Sequence, residues 1–215
     1  MAALTVPAWV RGVWRRERLE WEGGEDTTTR VIWVQTPILF ADVRTPPAGL
    51  PGDDEGFAGH LIVSGRICSW QRPIDVNPAR GAADAGAMYR NGTRLVECGL
   101  HANYLEDWRQ EADGERHLAA TRGKVSIDGG DIVWPAEGPL ELLVACGGHV
   151  IHAFRHGRSA ALRYGRFDPA TGILSPAWRV GPGSAGADLG MPWTLWSSTM
   201  TPVARDALLG ELGAL

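Results

Sequence analysis

Short runs of hydrophobic residues, each bounded by glycine, proline, asparagine or aspartate, recur from one end of this chain to the other. Val, Ile, Leu and Trp alternate with polar residues in many of them, at the two-residue period of a β-strand. The pattern predicts strands at Trp14–Trp21, Arg30–Thr36, Leu39–Arg44, His60–Val63, Ile67–Arg72, Thr93–Cys98, Ala102–Gln110, Arg116–Ile127, Asp131–Trp134, Leu140–Cys146, His149–Phe154, Ala160–Phe167 and Ala177–Val180. Strands at this spacing, without an alternation of helix and strand, predict an all-β fold, an antiparallel barrel or sandwich.

The C-terminal end has the pattern of a short helix. Thr201 is a suitable N-cap and Pro202 a suitable first helical residue. An apolar stripe follows, made of Val203, Ala207, Leu208 and Leu212. We expect this helix to pack against a barrel wall.

The polar stretch Arg109–Arg116, "RQEADGER", interrupts the strand periodicity in the middle of the chain. It predicts two β halves, residues 1–113 and residues 114–215, with the helix in the second. No internal sequence repeat relates the two halves.

Charge and composition narrow the classes of partner. The net charge is -4 and the pI about 5.9, with no basic cluster, so neither nucleic acid nor a membrane is an expected partner. Neither a signal peptide nor a membrane-spanning segment is recognisable, which predicts a cytoplasmic protein. The three widely spaced cysteines favour buried thiols, with a Cys68–Cys98 bridge as the alternative. Barrel edges and a tryptophan-rich surface permit a homodimer without requiring one.

Tryptophan is unusually frequent, with ten copies against three tyrosines and four phenylalanines. In four predicted strands, residues two apart place aromatic and polar side chains on one face. These sets are Trp33 with Gln35; Phe40, Asp42 and Arg44; Cys68, Trp70 and Arg72; and Tyr104, Glu106 and Trp108. Such mixed faces predict a polar cavity with aromatic walls inside a barrel. The alternative is an outer surface along which arginine side chains lie.

Charged groups that face such a cavity must pair, because an isolated buried ion costs several kcal/mol. Arg44 and Arg72 have candidate partners in Asp42, Asp75, Glu97 and Glu106. A floor of ion pairs can orient a polar or anionic ligand, or it can be purely structural. The predicted binding site for a small, partly polar organic ligand consists of Trp33, Gln35, Asp42, Arg44, Trp70, Arg72 and Trp108.

Catalysis in the same cavity would rest on proton transfer. Glu97, His101, Tyr104 and Glu106 are the candidate general acids and bases, with Arg72 to stabilise developing negative charge. No nucleophile elbow, phosphate loop or metal-binding spacing is recognisable, so neither a cofactor nor a metal is expected. Three functions stay open: ligand binding, a cofactor-independent isomerase, lyase or cyclase, and a protein-interaction scaffold.

Several motifs within residues 9–110 together resemble the Hri-one family, named for a fungal protein that associates with a casein-type kinase. They are "VIWVQTPILFADVRTP", "GFAG", "CSWQRPIDVNP", "DAGAM", "LVECG" and "YLEDW". The resemblance implies lipocalin-like, or calycin-like, β-barrels, two in tandem, without an established enzymatic reaction. The "GVW" of Gly12–Trp14 is similar to the glycine-x-tryptophan on the first strand of calycins.

Overall fold

Antiparallel β-strands make up most of the chain in the computed structural model, which describes residues 4–47, 54–78, 84–181 and 191–212. The strands are β1 Gly12–Trp21, β2 Gly24–Asp26, β3 Arg30–Gln35, β4 Leu39–Thr45, β5 Glu55–Ser64, β6 Ile67–Asp75, β7 Ala85–Asn91, β8 Arg94–Gly99, β9 Tyr104–Ala112, β10 His117–Arg122, β11 Ser126–Asp128, β12 Asp131–Val133, β13 Leu140–Cys146, β14 His149–His156, β15 Ser159–Asp168, β16 Ile173–Val180 and β17 Thr194–Ser198. A 3₁₀ turn, Ala8–Val10, precedes them, and helix α1, Pro202–Glu211, follows them. The predicted all-β fold with one short C-terminal helix is confirmed.

The first half forms a closed barrel of eight strands. Strands β1 and β3 to β9 pair in chain order, each antiparallel to the next, and β9 returns to pair with β1. Strand β2 extends β1 as a hairpin. Closure removes both sheet edges and leaves one face of every strand turned towards a common interior.

The second half forms a six-stranded antiparallel sheet with the order β16-β15-β14-β13-β10-β17, accompanied by the small hairpin β11-β12. No pairing joins β16 to β17 within the described ranges, so this sheet is open where the first is closed. The chain passes from one sheet to the other between β9 and β10, at the stretch where the sequence predicts the division into residues 1–113 and 114–215. That division into two units stays a prediction.

Three hydrophobic layers fix how these parts lie together. One layer fills the barrel and contains Trp14, Trp33 and Trp108. A second joins the outer wall of the barrel to the second sheet, with Ile32 on one side and Leu142 on the other. The third lies between the far face of that sheet and the helix, and its main members are Leu118, Leu143, Phe167, Leu174, Ala204 and Leu208. Strand alternation separates the layers, because neighbours in sequence point to opposite faces.

The helix begins as the sequence predicts, since the Thr201 side chain accepts a hydrogen bond from the Ala204 N–H and Pro202 starts the first turn. The predicted stripe is wrong at Val203, which is 81% exposed. Ala204, Leu208 and Leu212 face the sheet instead. These three recur every four residues, which keeps them on one face of an α-helix.

Glycine residues make part of the strand pattern difficult to recognise in the sequence. The sequence does not predict the glycine-containing β2 and β7, and it starts β5 at His60 although the strand begins at Glu55. It also does not predict β17, which contains no glycine. In β5, a Cβ at Gly56 would lie 2.8 Å from Val180 Cγ2, and one at Gly59 would lie 1.9 Å from the Gln71 carbonyl oxygen. These glycines therefore permit close packing inside a strand, where the sequence pattern indicates a turn.

One predicted strand, Arg116–Ile127, is two strands. It divides into β10 and β11 around Gly123, whose φ of 128° is accessible to glycine and strained for other residues.

Candidate functional site

One end of the barrel is filled by the chain that precedes β1. Val6 and Val10 lie in the barrel core, and the Trp14 indole N–H donates to the Val10 carbonyl oxygen at 2.8 Å. The Trp14 ring stacks on Trp33 with 6.3 Å between centroids. These groups pack this end of the barrel, and open space lies at the other end.

A cavity of about 470 Å³ occupies that space. Its wall consists of Leu19, Trp21, Trp33, Asp42, Arg44, Glu55, Phe57, Trp70, Arg72, Asp75, Asn77, Asp84, Glu97, Ala102, Asn103, Tyr104, Glu106 and Trp108. Trp21, Glu55, Asn77 and Asn103 are exposed, which places the entrance among them. The deeper wall contains the buried Trp33, Asp42, Glu97, Glu106 and Trp108.

All of the site residues predicted from the sequence line this cavity except Gln35 and His101. Gln35 is buried beyond the cavity, where its side-chain amide donates to the Thr36 carbonyl oxygen at 2.8 Å. His101 lies exposed in the turn between β8 and β9. The structure therefore brings Glu97, Tyr104 and Glu106 together and separates them from the histidine that the sequence groups with them.

Three tryptophans form the aromatic wall. The Trp33 ring contacts Trp70 and Trp108 edge to face, with centroids 6.3 Å and 5.7 Å apart. Trp33 and Trp108 are each 2% exposed, and the Nε1 atoms of both are buried without a hydrogen-bond partner among the described residues. These two N–H groups lie within the packed wall, so the wall offers the cavity mainly the rings of its tryptophans.

Ion pairs form the floor that the sequence predicts. Arg44 Nε donates to Asp42 Oδ1 at 2.8 Å. Arg72 donates through Nε and Nη2 to Asp75 and through Nη1 to Asp84. The Arg72 guanidinium also lies 3.9 Å from the centroid of the Phe57 ring. These contacts hold the Arg72 fork in one orientation.

Arg16 belongs to the same floor, although the sequence pattern does not predict it there. Its Nη1 lies 2.8 Å from Glu106 Oε1 and its Nη2 lies 2.8 Å from Asp26 Oδ2. Trp14 and Arg16 stand two residues apart, so the mixed aromatic and polar pattern is present in β1 as well. A register shift between Arg16 and Arg18 then reverses the alternation, so that Leu19 and Trp21 point to the cavity.

Glu97 is the buried carboxyl group of the site without an ion pair among the described residues. It is 4% exposed, stands directly opposite Glu106 across β8 and β9, and accepts a 2.8 Å hydrogen bond from the Tyr104 hydroxyl. Burial, and next the negative charge of Glu106, raise the pKa of Glu97 well above its usual range. Burial beside Glu106 thus favours the protonated form of Glu97 in the folded protein.

Two glycines make room for this pair. A Cβ at Gly86 would lie 2.7 Å from Glu97 Oε1, and a Cβ at Gly99 would lie 2.4 Å from Tyr104 Cε1. Gly86 and Gly99 stand opposite each other in β7 and β8. Their missing side chains leave the space that the glutamate and the phenol occupy.

Other titratable groups offer no second centre. Burial raises the pKa of the Cys68 thiol to about 12, so it is not a reactive thiolate. Burial, with the charge of Arg166, lowers the pKa of His149 to about 4, and His152 Nε2 lies 2.9 Å from Glu141. His, Cys, Asp and Glu form no group of three that could hold a metal ion in the described part of the chain.

Comparison with family models, with curated proteins and with solved structures gives no match for this chain. The resemblance to the Hri-one family therefore stays a prediction. No helix within the described ranges has the length and apolar character needed to cross a membrane.

Proposed function

We propose that this chain is a calycin-like barrel protein that binds a small, partly polar organic molecule in the cavity of its first half. The observation that carries the proposal is a cavity of about 470 Å³ whose wall combines three tryptophan rings with paired, oriented charged groups. A barrel core filled for stability alone would leave no open space of this size.

The dimensions and the chemistry of the cavity support this proposal. Pockets for small molecules usually measure about 300–1,000 Å³ and combine apolar walls with a few placed polar groups. This cavity, at about 470 Å³, combines indole rings with the fixed guanidinium groups of Arg44 and Arg72. Rings and ion pairs contact one another in the described structure, so a ligand would meet a largely preformed site.

Retention of a molecule during purification is the direct test. We expect untargeted mass spectrometry of denatured extracts to find a compound with the wild-type protein that a folded Trp70→Ala variant has lost. Trp178→Ala, which removes a tryptophan beside Tyr164 and outside the cavity, should retain the compound. Identical extracts from all three proteins, and no change of tryptophan fluorescence on titration with small aromatic amines, alcohols and acids, contradict ligand binding.

A second candidate function is cofactor-independent acid and base catalysis in the same cavity. The contact between Tyr104 and Glu97, whose pKa is raised by burial, favours it, because a buried carboxyl group with a raised pKa can act as a general acid or base towards a substrate. His101 contributes nothing to this arrangement from its exposed turn.

Isotope exchange separates catalysis from binding. For a retained compound incubated in deuterated water, catalysis predicts deuterium incorporation into a C–H bond by the wild-type protein and its loss in Glu97→Gln. A compound that leaves the protein unlabelled and unrearranged is a ligand and not a substrate.

A further inference from the structure

We propose that the cavity selects an organic cation, an ammonium group on a small apolar body, and that the cationic nitrogen lies beside Glu97. The inference rests on the proposed ligand-binding function and deepens it by naming the charge of the ligand. It replaces the anionic ligand that the two predicted arginines suggest.

Acidic groups outnumber basic groups at the cavity wall. Six carboxyl groups line it, against two guanidinium groups: Asp42, Glu55, Asp75, Asp84, Glu97 and Glu106 against Arg44 and Arg72. Arg16 adds one cation behind Glu106, but it also contacts Asp26. An anion entering this space would meet an excess of like charge, and a cation would meet opposite charge.

Both arginines of the cavity wall already have carboxylate partners. All three guanidinium nitrogens of Arg72 donate to Asp75 or Asp84, and one face of the group is covered by Phe57. Arg44 donates to Asp42, and its Nη1 lies 3.9 Å from Glu106. An anionic ligand would have to displace a carboxylate from a short contact before it could bind Arg72 in the bidentate manner, and at Arg44 it would compete with the nearby carboxylates of Asp42 and Glu106.

Glu97, in contrast, has no ion-pair partner among the described residues. Its neighbours in the structure come from several elements: Glu106 and Tyr104 on β9, Asp84 before β7, Arg44 on β4 and Cys68 on β6. Arg44 is the cation among them, and it pairs with Asp42 instead. A ligand ammonium group beside Glu97 would supply the missing counter-charge and leave an ionised carboxylate in an ion pair.

The aromatic wall suits the same occupant. The rings of Trp33, Trp70 and Trp108 contact one another around the cavity, and indole faces attract cations more strongly than other aromatic side chains. The ligand class is therefore an ammonium compound with a small apolar or aromatic body.

Three probes with one carbon skeleton test the charge preference. They are para-methoxyphenethylamine, its alcohol analogue and its carboxylate analogue, backed by a fragment panel divided into matched cationic, neutral and anionic arms. We expect isothermal titration calorimetry to give the amine at least about tenfold tighter binding than either analogue, a difference of about 1.4 kcal/mol. The cationic arm of the panel should hold most of the binders.

A proton balance ties the preference to Glu97. Because the ammonium group favours the ionised carboxylate, amine binding should release up to about one proton, and amine affinity should rise with pH. Calorimetry in buffers of different ionisation enthalpy measures the release. Glu97→Gln should lose both the release and at least about fivefold in amine affinity, a larger loss than for the alcohol. Glu137→Gln, an exposed carboxyl group outside the cavity, is the matched control and should behave as wild type.

The outcomes separate the two proposals. Binding of the neutral or anionic probes as tightly as the amine, or amine binding without proton release, overturns the cation inference and leaves the ligand-binding function standing. Absence of binding in all three arms overturns both. A Glu97→Gln variant that keeps the full preference for the amine moves the cationic nitrogen away from Glu97 and contradicts the inference.

Discussion

At the scale of single residues, the inside of this barrel is organised by which charges have partners. Arg16, Arg44 and Arg72 each lie within 2.8 Å of a carboxylate oxygen, while Glu97 has a phenol as its hydrogen-bond partner. Paired ions tolerate burial because each satisfies the other, whereas an unpaired acid tolerates it by keeping its proton. The paired arginines and the unpaired Glu97 lie side by side in this barrel, and we expect them to respond in opposite ways to mutation and to pH.

Glu97 should make the folded protein less stable as pH rises. Its pKa is near 4.5 when unfolded and well above that when folded, because of burial and the charge of Glu106. Above the lower value the unfolded chain loses this proton while the folded chain keeps it, so the free energy of unfolding falls until the folded-state pKa is passed. Wild type should therefore lose free energy of unfolding relative to Glu97→Gln as the pH rises from about 5 to about 8, until the folded-state pKa of Glu97 is passed.

Urea unfolding of both proteins at the two pH values measures this difference. Glu137→Gln supplies the control, since its exposed side chain should leave the pH dependence of wild type unchanged. Parallel stability curves for wild type and Glu97→Gln would show that Glu97 titrates normally in the folded state.

Arg16 should be among the costliest side chains to remove. Arg16→Met leaves Glu106 buried without its closest cation, and breaking a buried ion pair from one side costs about 3–5 kcal/mol. The loss of Arg16 should affect Asp26 less than Glu106, because Asp26 also accepts hydrogen bonds from the Thr28 and Thr29 N–H groups. Adding Glu106→Gln should restore at least about 1 kcal/mol by removing the stranded charge.

Chemical denaturation of the two single variants and the double variant forms the cycle. Arg94→Met breaks the exposed contact with Glu17 and should cost less than about 1 kcal/mol. Additive losses in the Arg16 and Glu106 cycle would show that the pair contributes no coupling.

At the scale of strands, β-bulges and glycines decide which side chains reach the cavity. Regular alternation predicts the inward residues correctly in β4, β6 and β9, where Asp42, Trp70 and Glu106 line the space. It fails in β1, because the register shift after Arg16 reverses the inward and outward faces. A β-bulge is an extra residue in one strand relative to its partner, so it can be recognised only when the pairing of the two strands is known. A single sequence does not show that pairing.

The same limit applies to glycine. The sequence pattern assigns the glycines of β5 and β7 to turns. It therefore does not predict that the neighbouring Phe57 and Asp84 line the cavity. The strand geometry of these glycines follows from side chains that approach from elsewhere in the chain, such as Glu97 over Gly86. Gln35 shows the complementary error, since its face was predicted correctly but its depth along the barrel axis was not.

Gly86→Ala should disturb the site directly. The new Cβ would lie 2.7 Å from Glu97 Oε1 and 2.8 Å from Glu97 Cγ, so the glutamate must shift away from Tyr104. We expect a loss of about 1–3 kcal/mol in unfolding free energy. Adding Glu97→Ala should relieve the collision, so that the double variant loses less than the sum of the two single variants.

Gly210→Ala is the matched glycine control for this measurement. No atom lies within 4 Å of a Cβ at this position in α1, and alanine is the better helix former, so stability should rise by about 1 kcal/mol. Strict additivity of Gly86→Ala and Glu97→Ala would contradict the packing of the glutamate on this glycine.

At the scale of the whole molecule, the barrel and the open sheet share one hydrophobic layer. The outer faces of β3 and β4 contribute Ile32, Val34 and Val43 to it, and Leu142 and Leu162 come from the second sheet. Either half alone would expose its side of this layer to water. The outer wall of the barrel is thus stabilised by the second half, even though the cavity lies in the first half.

A destabilising substitution on the far side of the second sheet should therefore also destabilise the barrel. Leu142 and Leu143 are adjacent and fully buried, but Leu142 faces the barrel and Leu143 faces the helix. Replacing either by alanine should cost about 2–5 kcal/mol. If the shared layer makes unfolding cooperative, hydrogen exchange followed by mass spectrometry should show equal losses of protection in β3 and in β14 for both variants. Barrel strands that keep wild-type protection in Leu143→Ala would instead establish two independent units, divided where the polar stretch between β9 and β10 predicts.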